Sequence, residues 1–232
     1  MKIPPTPSGV GRGAARKGGP CYLQLKTYVY IDGFNLYYGA LKGTPYKWLD
    51  PAALCKLLLP GHNLLKIRYF TAHIKSRPHD PDAPTRQQIY LRALRTLPNL
   101  EIHLGQFLTH AVWMPDATST LIPPRKLQVL KTEEKGSDVN LASHLLLDGF
   151  RKSYETGVLI TNDSDLFEPI RMVKSELGLK VGILNPNLRA SRVLLPPAVN
   201  FMKSIRAGAL KLSQFPSSLS DANGVFQKPK AW

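Results

Sequence analysis

The sequence predicts an α/β fold in which helices cover both faces of a mainly parallel sheet. Between residues 27 and 212, short apolar runs rich in β-branched and aromatic residues alternate with segments of helical periodicity. Pro, Gly and capping residues lie at many of the junctions between these segments. The region has no internal repeat. Strands that alternate with helices are typical of parallel sheets with helices on both sides.

The first half of this region contains three predicted strands and three predicted helices. In order, the elements are a strand at 28–31, a helix at 35–41, a helix at 50–59, a strand within 64–74, a helix at 83–97 and a strand at 101–108. Asp50 and Pro51 mark one helix start, because Asp is a good N-cap and Pro fits the first helical position.

The second half begins with a less regular segment at 109–136, which contains several prolines and allows a hairpin that returns through 126–131. The elements predicted after it are a helix at 137–152, a strand at 158–161, a helix at 165–177, a strand at 180–184 and a helix at 198–209.

The two ends of the chain differ in composition from this region. Residues 1–26 are rich in Pro and Gly and are predicted to be a disordered basic arm. Residues 213–232 are rich in Ser and Pro and are predicted to be a flexible C-terminal tail. Residues 27–212 are therefore the predicted folded domain.

The chain is strongly basic, with 31 Lys and Arg against 16 Asp and Glu and a net charge of +15. Residues 1–26 hold five of the basic residues and no acidic one, so the folded region is basic as well. Such a charge favours nucleic acid or an anionic surface as partner, although it also serves solubility. Two cysteines form neither a disulfide framework nor a zinc motif, and no apolar run approaches the ~20 residues of a membrane span. A cytoplasmic protein without a membrane partner is predicted.

Four aspartates lie at three junctions between predicted elements, and these junctions are expected to meet at one edge of the sheet. Asp32 and Asp163 each follow a short apolar strand, and the carboxyl ends of parallel strands form the ligand-binding edge of such sheets. Asp138 follows the predicted N-cap Ser137 and shares a helical stripe with Leu141 and other apolar residues. An aspartate on that stripe is expected to face the sheet.

Structural roles also explain several of these aspartates. Asp32-Gly33 is common turn chemistry, and Asp138 in a first helical turn favours the helix dipole. Asp165 is a predicted N-cap that forms a capping box with Glu168. Asp163 alone has no predicted structural role.

Clustered carboxylates favour a hard cation. They repel each other and raise each other's pKa unless a cation neutralises them. Oxygen ligands suit Mg²⁺ or Mn²⁺, and Mg²⁺ keeps several waters while binding few carboxylates directly. The six histidines are scattered without zinc-site spacing.

Three motifs in this order resemble those of the NYN domain, a branch of the PIN-like nuclease superfamily. They are Val-Tyr-Ile-Asp-Gly-Phe-Asn-Leu at 29–36, Glu-Lys-Gly-Ser-Asp-Val-Asn-Leu at 134–141 and Leu-Ile-Thr-Asn-Asp-Ser-Asp-Leu at 159–166. The resemblance spans about residues 27–185. It implies a Rossmann-like α/β/α sandwich of PIN-like type and RNA cleavage that depends on a divalent metal.

The resemblance also implies roles for individual residues. The carboxylates at the catalytic and metal site would be Asp32, Asp138, Asp163 and Asp165. Asn35 and Thr161 would support them through hydrogen bonds, and Lys135 would contact a substrate phosphate or orient Asp138. Leu166 stands where many relatives have Phe.

Further basic and aromatic residues are candidates for nucleic-acid contacts. The basic candidates are Arg86, Arg92, Arg95, Arg125, Lys126 and Lys131. Solvation of these charges is an equally good explanation. Tyr37, Tyr38, Tyr46 and Trp48 are candidates for base stacking, although a core position is favoured for them.

The function predicted from these observations is a Mg²⁺- or Mn²⁺-dependent endoribonuclease that acts on single-stranded RNA. Water would attack a backbone phosphodiester in line while the metal stabilises charge on the phosphate. The alternatives are a non-catalytic RNA-binding module of the same fold, a structure-specific DNA nuclease and a phosphohydrolase for small phosphoesters. The positive charge disfavours the last of these.

Overall fold

The computed structural model describes residue 1 and residues 24–232. The disordered arm predicted at 1–26 therefore lies outside the described residues, apart from its first residue and its last three.

A mainly parallel sheet forms the centre of the fold. In the described part of the chain, seven strands compose it in the order β4-β3-β2-β1-β5-β6-β7. Every neighbouring pair is parallel except β3 and β4, which are antiparallel. The strands are β1 (Leu25–Asp32), β2 (His62–Ala72), β3 (Leu100–Pro115), β4 (Lys126–Lys135), β5 (Thr156–Ile160), β6 (Lys180–Asn185) and β7 (Phe201–Ser204). The predicted α/β class with a mainly parallel sheet is confirmed.

Helices cover both faces of this sheet. They are α1 (Gly33–Leu36), which continues into a π-helical turn at Tyr37–Leu41, then α2 (Pro51–Leu58), α3 (Ala83–Leu94), α4 (Ser137–Phe150), α5 (Phe167–Ser175) and α6 (Ala207–Leu212). One core contains buried side chains of α1, α2, α3 and α6, and the other contains those of α4 and α5. The layers are those of an α/β/α sandwich.

The central strand β1 shows how the sequence separates these cores. Val29 and Ile31 belong to the core under α1–α3, whereas Tyr30 belongs to the core under α4 and α5. Side chains alternate between the faces of a strand, so a run of apolar residues fills both cores. Ile31 pairs with Ile160 of β5, which brings the carboxyl ends of β1 and β5 side by side.

Most of the segment predicted to be irregular at 109–136 is instead an antiparallel ribbon of two strands, which a loop at 116–125 connects. Strand β3 runs on past the sheet to Pro115, and β4 pairs with it from Lys126 to Lys135. The prediction of a hairpin was correct, and that of an irregular segment holds only for the connecting loop at 116–125. Nearly all side chains from 106 to 135 are exposed or only half-buried, so the ribbon lacks the apolar alternation that marks a strand packed on a core.

The helix predicted at 198–209 is also wrong. The chain joins the sheet edge as β7, and only Ala207–Leu212 is helical. Asn200 starts this pairing, because its backbone N–H donates to the carbonyl of Val181 and its side-chain Oδ1 accepts from the N–H of the same residue. Pairing with an existing strand outweighs the local preference for a helix.

The C-terminal segment at 213–232, predicted to be a flexible tail, packs on the core under α2 and α3. Strands β8 (Ser218–Asp221) and β9 (Gly224–Gln227) form a hairpin. Phe215 and Phe226 are buried, and the ring of Trp232 lies 6.4 Å from that of Trp48. The few apolar residues of this segment are separated by Ser and Pro, so its composition did not indicate that it packs on the core.

Candidate functional site

An acidic cavity lies beyond the carboxyl ends of β1 and β5. Its volume is about 740 Å³, and four carboxylates line it: Asp32, Glu134, Asp138 and Asp163. Strand β1 lies between β2 and β5, where chain connections leave in opposite directions, and such points bind ligands in open α/β sheets. The structure thus brings three of the four predicted aspartates together.

Asp32 is buried at the end of β1, with 5% of its surface exposed. It is the N-cap of α1, and its Oδ1 accepts a hydrogen bond of 2.9 Å from the N–H of Asn35. Thr161 Oγ1 lies 3.4 Å from its Oδ2 and donates to it. Asp32 therefore has the turn role expected of Asp-Gly and a place in the cavity as well.

Asn35 and Thr161 tie the ends of β1 and β5 together. Asn35 Oδ1 accepts from the N–H of Asn162 at 3.0 Å, and Thr161 Oγ1 accepts from the N–H of Asp163 at 3.1 Å. Both residues thus make hydrogen bonds to the backbone or to a carboxylate of the cavity.

Asp163 and Asp165 exchange the structural roles expected of them. Asp163 caps the short 3-10 turn at Ser164–Leu166, because its Oδ1 accepts from the N–H of Asp165 at 3.0 Å. Asp165 is exposed and does not line the cavity. The predicted capping box is absent from the described residues, where Glu168 pairs with Arg171 instead. The 3-10 turn precedes α5, so the capping residue is Asp163, two residues before the predicted cap Asp165.

Glu134 is a cavity residue that the sequence did not single out as a site residue. Its Oε1 accepts from the backbone N–H of Ser137 at 3.2 Å and from the Ser137 hydroxyl at 2.9 Å. Gly105 leaves room for this carboxylate, since a Cβ at Gly105 would lie 2.2 Å from Glu134 Oε1. The motif Glu-Lys-Gly-Ser-Asp could have indicated Glu134 as a site residue, because it places a second carboxylate just before the helix.

Asp138 lies in the first turn of α4, but the details of the helix start differ from the prediction. Gly136, with a φ of 103°, is the N-cap, and Ser137 is the first helical residue. The buried stripe contains Ser137, Leu141 and Leu145, whereas Asp138 is exposed beside it. Asp138 therefore reaches the cavity from the rim and does not point into the core.

Burial and mutual repulsion perturb the carboxylates. Burial, together with the charges of Asp138 and Asp163, raises the pKa of Asp32 from 3.8 to about 6, against the lowering effect of the Asn35 N–H. The pKa of Asp138 is also raised, first by desolvation where its carboxylate meets the cavity wall and then by the charges of Asp163, Glu134 and Asp165. Both shifts indicate a site where a positive charge would be favourable.

The donor set suits a hydrated hard cation. Among the described residues, no group of three or more His, Cys, Asp or Glu is placed to enclose a metal ion. Mg²⁺ needs no such enclosure, since it binds through one or two carboxylates and retains water. The oxygen donors around this cavity fit that kind of binding.

Cations also line the acidic cavity, although they are not those predicted. Lys75 and Arg77 lie in the loop after β2, at the same edge as the carboxylates. Neither forms an ion pair with another described residue. Their position just after the end of a predicted strand could have indicated that they lie at the same sheet edge as the carboxylates.

The predicted basic residues of the ribbon are exposed, and those nearest its base are paired. Lys131 and Lys135 both pair with Glu133, at 2.6 Å and 3.4 Å. Arg125 and Lys126 lie at the far end of the ribbon. The basic residues of β4 can therefore present positive charge to a long ligand but do not line the cavity itself.

The predicted basic residues of α3 do not form one surface. Arg86 lies near the N-terminus of the helix and pairs with Asp80. Arg95 is exposed just after the last turn, and α3 spans about 18 Å, so it lies far from the acidic cavity. Arg92 holds the C-terminal hairpin: it donates to both Asp221 oxygens at 2.7 Å and lies 4.2 Å from the Phe226 ring. These contacts give Arg92 a structural role.

We therefore expect Arg92→Gln to lower the melting temperature of the protein without changing any binding of labelled RNA. The substitution removes a bidentate ion pair and a cation–π contact that fasten the hairpin. Thermal unfolding and a fluorescence titration with labelled RNA measure the two effects. Arg95→Gln on the same helix is the matched control and should leave the melting temperature unchanged. Weaker RNA binding by Arg92→Gln at an unchanged melting temperature would contradict this structural role.

A second, smaller cavity adjoins the acidic one on the side of α1 and α3. It measures about 220 Å³ and shares Phe34, Tyr38, Ile74, Lys75 and Arg77 with the acidic cavity. Its other aromatic lining residues are Tyr37, Tyr69, Tyr90 and Trp232. We call it the aromatic cavity.

The aromatic candidates for base stacking fall into two groups. Tyr37 and Tyr38 line the aromatic cavity, whereas Trp48 is buried in the core. Tyr37 and Tyr46 both pack against that core. A core position, which the sequence favoured for all four, is thus found for three of them.

Comparison with known proteins places the chain in a family. A sequence model of the NYN domain matches residues 26–202. The chain belongs to the NYN domain family. This confirms the resemblance carried by the three motifs.

Two similar proteins extend the comparison. This NYN domain protein is 32% identical to a Pseudomonas putida protein named 6-hydroxy-3-succinoylpyridine 3-monooxygenase HspA, and the match covers 90% of this chain and 75% of that protein. The fold of this chain resembles that of a Vibrio parahaemolyticus protein of unknown function, with a TM-score of 0.53 and 14% sequence identity. That likeness covers 79% of this chain and 94% of the other one. None of the described helices has both the length and the apolar character that a membrane crossing needs.

Proposed function

We propose that this NYN domain protein is an endoribonuclease that requires Mg²⁺ or Mn²⁺ and cleaves single-stranded RNA. The observation that carries the proposal is the convergence of Asp32, Asp138 and Asp163 on one cavity at the carboxyl edge of a parallel sheet. A nuclease-like fold is what membership of the NYN family supports. The net charge of +15 suits a polyanionic substrate.

In this proposal, the cavity carboxylates hold the cation and the neighbouring Lys75 and Arg77 hold the substrate. One or two of Asp32, Asp138 and Asp163 would bind the ion directly and the rest through its waters, with Glu134 beside them and Asp165 adding negative charge from outside the cavity. When bound, the ion would stabilise negative charge on the phosphate. Lys75 and Arg77 would contact phosphate oxygens, a role first expected of Lys135. Thr161 and Asn35 keep Asp32 and Asp163 oriented.

The test is cleavage of end-labelled single-stranded RNA with Mn²⁺ or Mg²⁺, with and without EDTA. We expect cleavage only with the cation, and we expect Asp163→Asn to reduce it at least about tenfold, because one charge near the cation is lost. The amide keeps an oxygen that can accept from the N–H of Asp165, so the turn survives. Glu176→Gln removes an exposed carboxylate of the residue that follows α5 and is the matched control.

Other outcomes separate the alternatives. RNA that is bound but never cleaved, under any of these cations, would favour a non-catalytic RNA-binding module. Preferential cleavage of branched or flapped DNA would favour a structure-specific DNA nuclease. Equal cleavage by wild type and Asp163→Asn would contradict the proposed site.

The named relative supports a second candidate, which is an enzyme acting on a small hydroxypyridine acid. The observation in its favour is the 32% identity over 90% of this chain, together with an aromatic cavity of suitable size next to the acidic one. Incubation with 6-hydroxy-3-succinoylpyridine, O₂ and a reduced nicotinamide, followed by mass spectrometry, tests it. Because C3 of this substrate already bears the succinoyl group, a hydroxyl group added there displaces the side chain, which leaves as a separate four-carbon acid. Formation of a dihydroxypyridine that requires O₂ and the reductant would favour this candidate, and unchanged substrate would remove it.

A further inference from the structure

The aromatic cavity has the size and walls of a site for a single flat ring. A cavity of about 150 Å³ accepts benzene, so the 220 Å³ here accommodates a six-membered ring with substituents. The rings of Tyr69, Tyr90 and Trp232 form consecutive edge-to-face pairs at 6.4 Å and 5.7 Å. Their fixed packing provides a preformed aromatic wall.

Two hydroxyl groups of this wall have no partner among the described residues. Tyr69 and Thr71 are 5% and 4% exposed, and both line the cavity. Neither hydroxyl forms a side-chain hydrogen bond with another described residue, although those of Tyr90 and Tyr154 do. Their oxygens are open to the cavity while the rest of each side chain is enclosed, so a ligand with polar atoms on its ring would pair with them from the cavity.

Positive charge lies at the mouth of the same cavity. Lys42, Lys47, Lys75 and Arg77 line it and form no ion pair within the described part of the chain. Asp80 also lines it but is already paired with Arg86. Lys75 and Arg77 lie on the rim shared with the acidic cavity, so an anionic group is favoured on that side.

The loop that carries these cations is held in place. Gln87 of α3 accepts from the N–H of Ile74 at 3.0 Å and donates to the carbonyl of Ala72 at 2.9 Å. The rim that includes Lys75 is therefore fixed to the helix that forms the other wall, which lowers the cost of ordering it around a ligand.

We propose that the aromatic cavity binds a planar nitrogen-containing ring that bears an anionic group, with the ring between Tyr37, Tyr69 and Tyr90 and the anion at Lys75 and Arg77. The ring's polar atoms pair with the hydroxyls of Tyr69 and Thr71. A nucleotide unit of a nucleic-acid strand and a free heteroaromatic acid share this chemistry. In either case the ligand's anion meets the rim of the acidic cavity, so the two cavities form one site.

The test is direct binding to the full chain, so it does not depend on whether the protein cleaves RNA. Isothermal titration calorimetry in EDTA compares uridine 5′-monophosphate with 6-hydroxypyridine-3-carboxylate. Ribose 5-phosphate is the control for the nucleotide and acetate is the control for the pyridine acid, since each carries the anion without the aromatic ring. We expect one of the two aromatic ligands to bind, and its control without the aromatic ring not to bind.

Two variants and one control locate the binding. Arg77→Gln should weaken it about tenfold by removing a charge-assisted contact. Tyr69→Phe should weaken it several-fold by removing one hydroxyl. Arg151→Gln, an exposed residue after the far end of α4, should have no effect. Melting temperatures of all variants show whether they are folded.

Each result decides the proposal. Binding of the nucleotide alone identifies a strand-derived ring, and binding of the pyridine acid alone identifies a free small molecule. Failure of both ring ligands at millimolar concentration would overturn the proposal. So would binding that Arg77→Gln and Tyr69→Phe leave unchanged while both variants are folded.

Discussion

Replacing Asp32 by Asn should reduce RNA cleavage on the order of 10²- to 10⁴-fold and, without divalent cations, should make the protein more stable at neutral pH. Activity falls because Asp32 is the most buried carboxylate of the acidic cavity and has three acidic neighbours there. An amide can still accept from the Asn35 N–H, so the start of α1 is preserved.

The gain in stability follows from the direction of the Asp32 pKa shift. Its pKa is about 6 in the folded protein against an ordinary value of 3.8, so the folded state holds the proton more tightly than the unfolded state. Ionisation of Asp32 therefore costs stability as pH rises from about 4 to 6, and the full cost, about 2–3 kcal/mol, is present above pH 6. Asn carries no such cost.

Denaturant unfolding of wild type and Asp32→Asn at pH 4 and pH 7.5 in EDTA measures this effect. The difference between the variants should change in favour of Asn at the higher pH. Mg²⁺ should then stabilise wild type more than the variant, because a ligand stabilises only the state that binds it. A stability difference that does not change with pH would show that the pKa of Asp32 is not raised in the folded protein.

Replacing Asp148 by Leu should lower the free energy of unfolding by about 3–5 kcal/mol, because it leaves the buried Arg68 guanidinium with only Glu101, an exposed carboxylate, as its ion-pair partner. Asp148 accepts from Arg68 Nε at 2.8 Å and from Nη2 at 3.1 Å, and its Oδ2 also accepts from the Tyr30 hydroxyl at 2.9 Å. Asp148 and Arg68 are buried, with 4% and 8% of their surfaces exposed.

The double variant Asp148→Leu/Arg68→Met tests this reason. Removing both charges should restore much of the lost stability, since an apolar pair needs no buried counter-charge. Glu168→Gln breaks the exposed pair with Arg171 and should change stability little. If the double variant is less stable than Asp148→Leu, the unpaired charge is not the cause.

This buried pair also matters for the acidic cavity. Asp148 belongs to α4 and Arg68 to β2, so the pair fastens the helix that carries Asp138 to the central sheet. We expect Asp148→Leu to impair cleavage even at temperatures where the protein remains folded.

The sequence predicted those parts of the site that depend on local order along the chain. Asp32 and Asp163 were predictable because the ends of parallel strands lie at one edge. Glu134 and Arg77 were not singled out, because their positions depend on how the ribbon and the loop after β2 pack.

Long-range contacts explain the errors. Arg92 meets Asp221 at a separation of 129 residues, and the indole N–H of Trp48 donates to the carbonyl of Pro216 across 168 residues. No local pattern encodes such contacts, so the C-terminal segment was predicted to be flexible.

The ribbon formed by β3 and β4 can be altered separately from the rest of the fold. From 106 to 135 it contributes no side chain to the buried core, although Glu134 at its base reaches the acidic cavity. Its outer part can therefore be lengthened, shortened or exchanged with little loss of stability. A grafted ribbon would change which long ligands contact this surface while leaving the acidic cavity and the buried core intact.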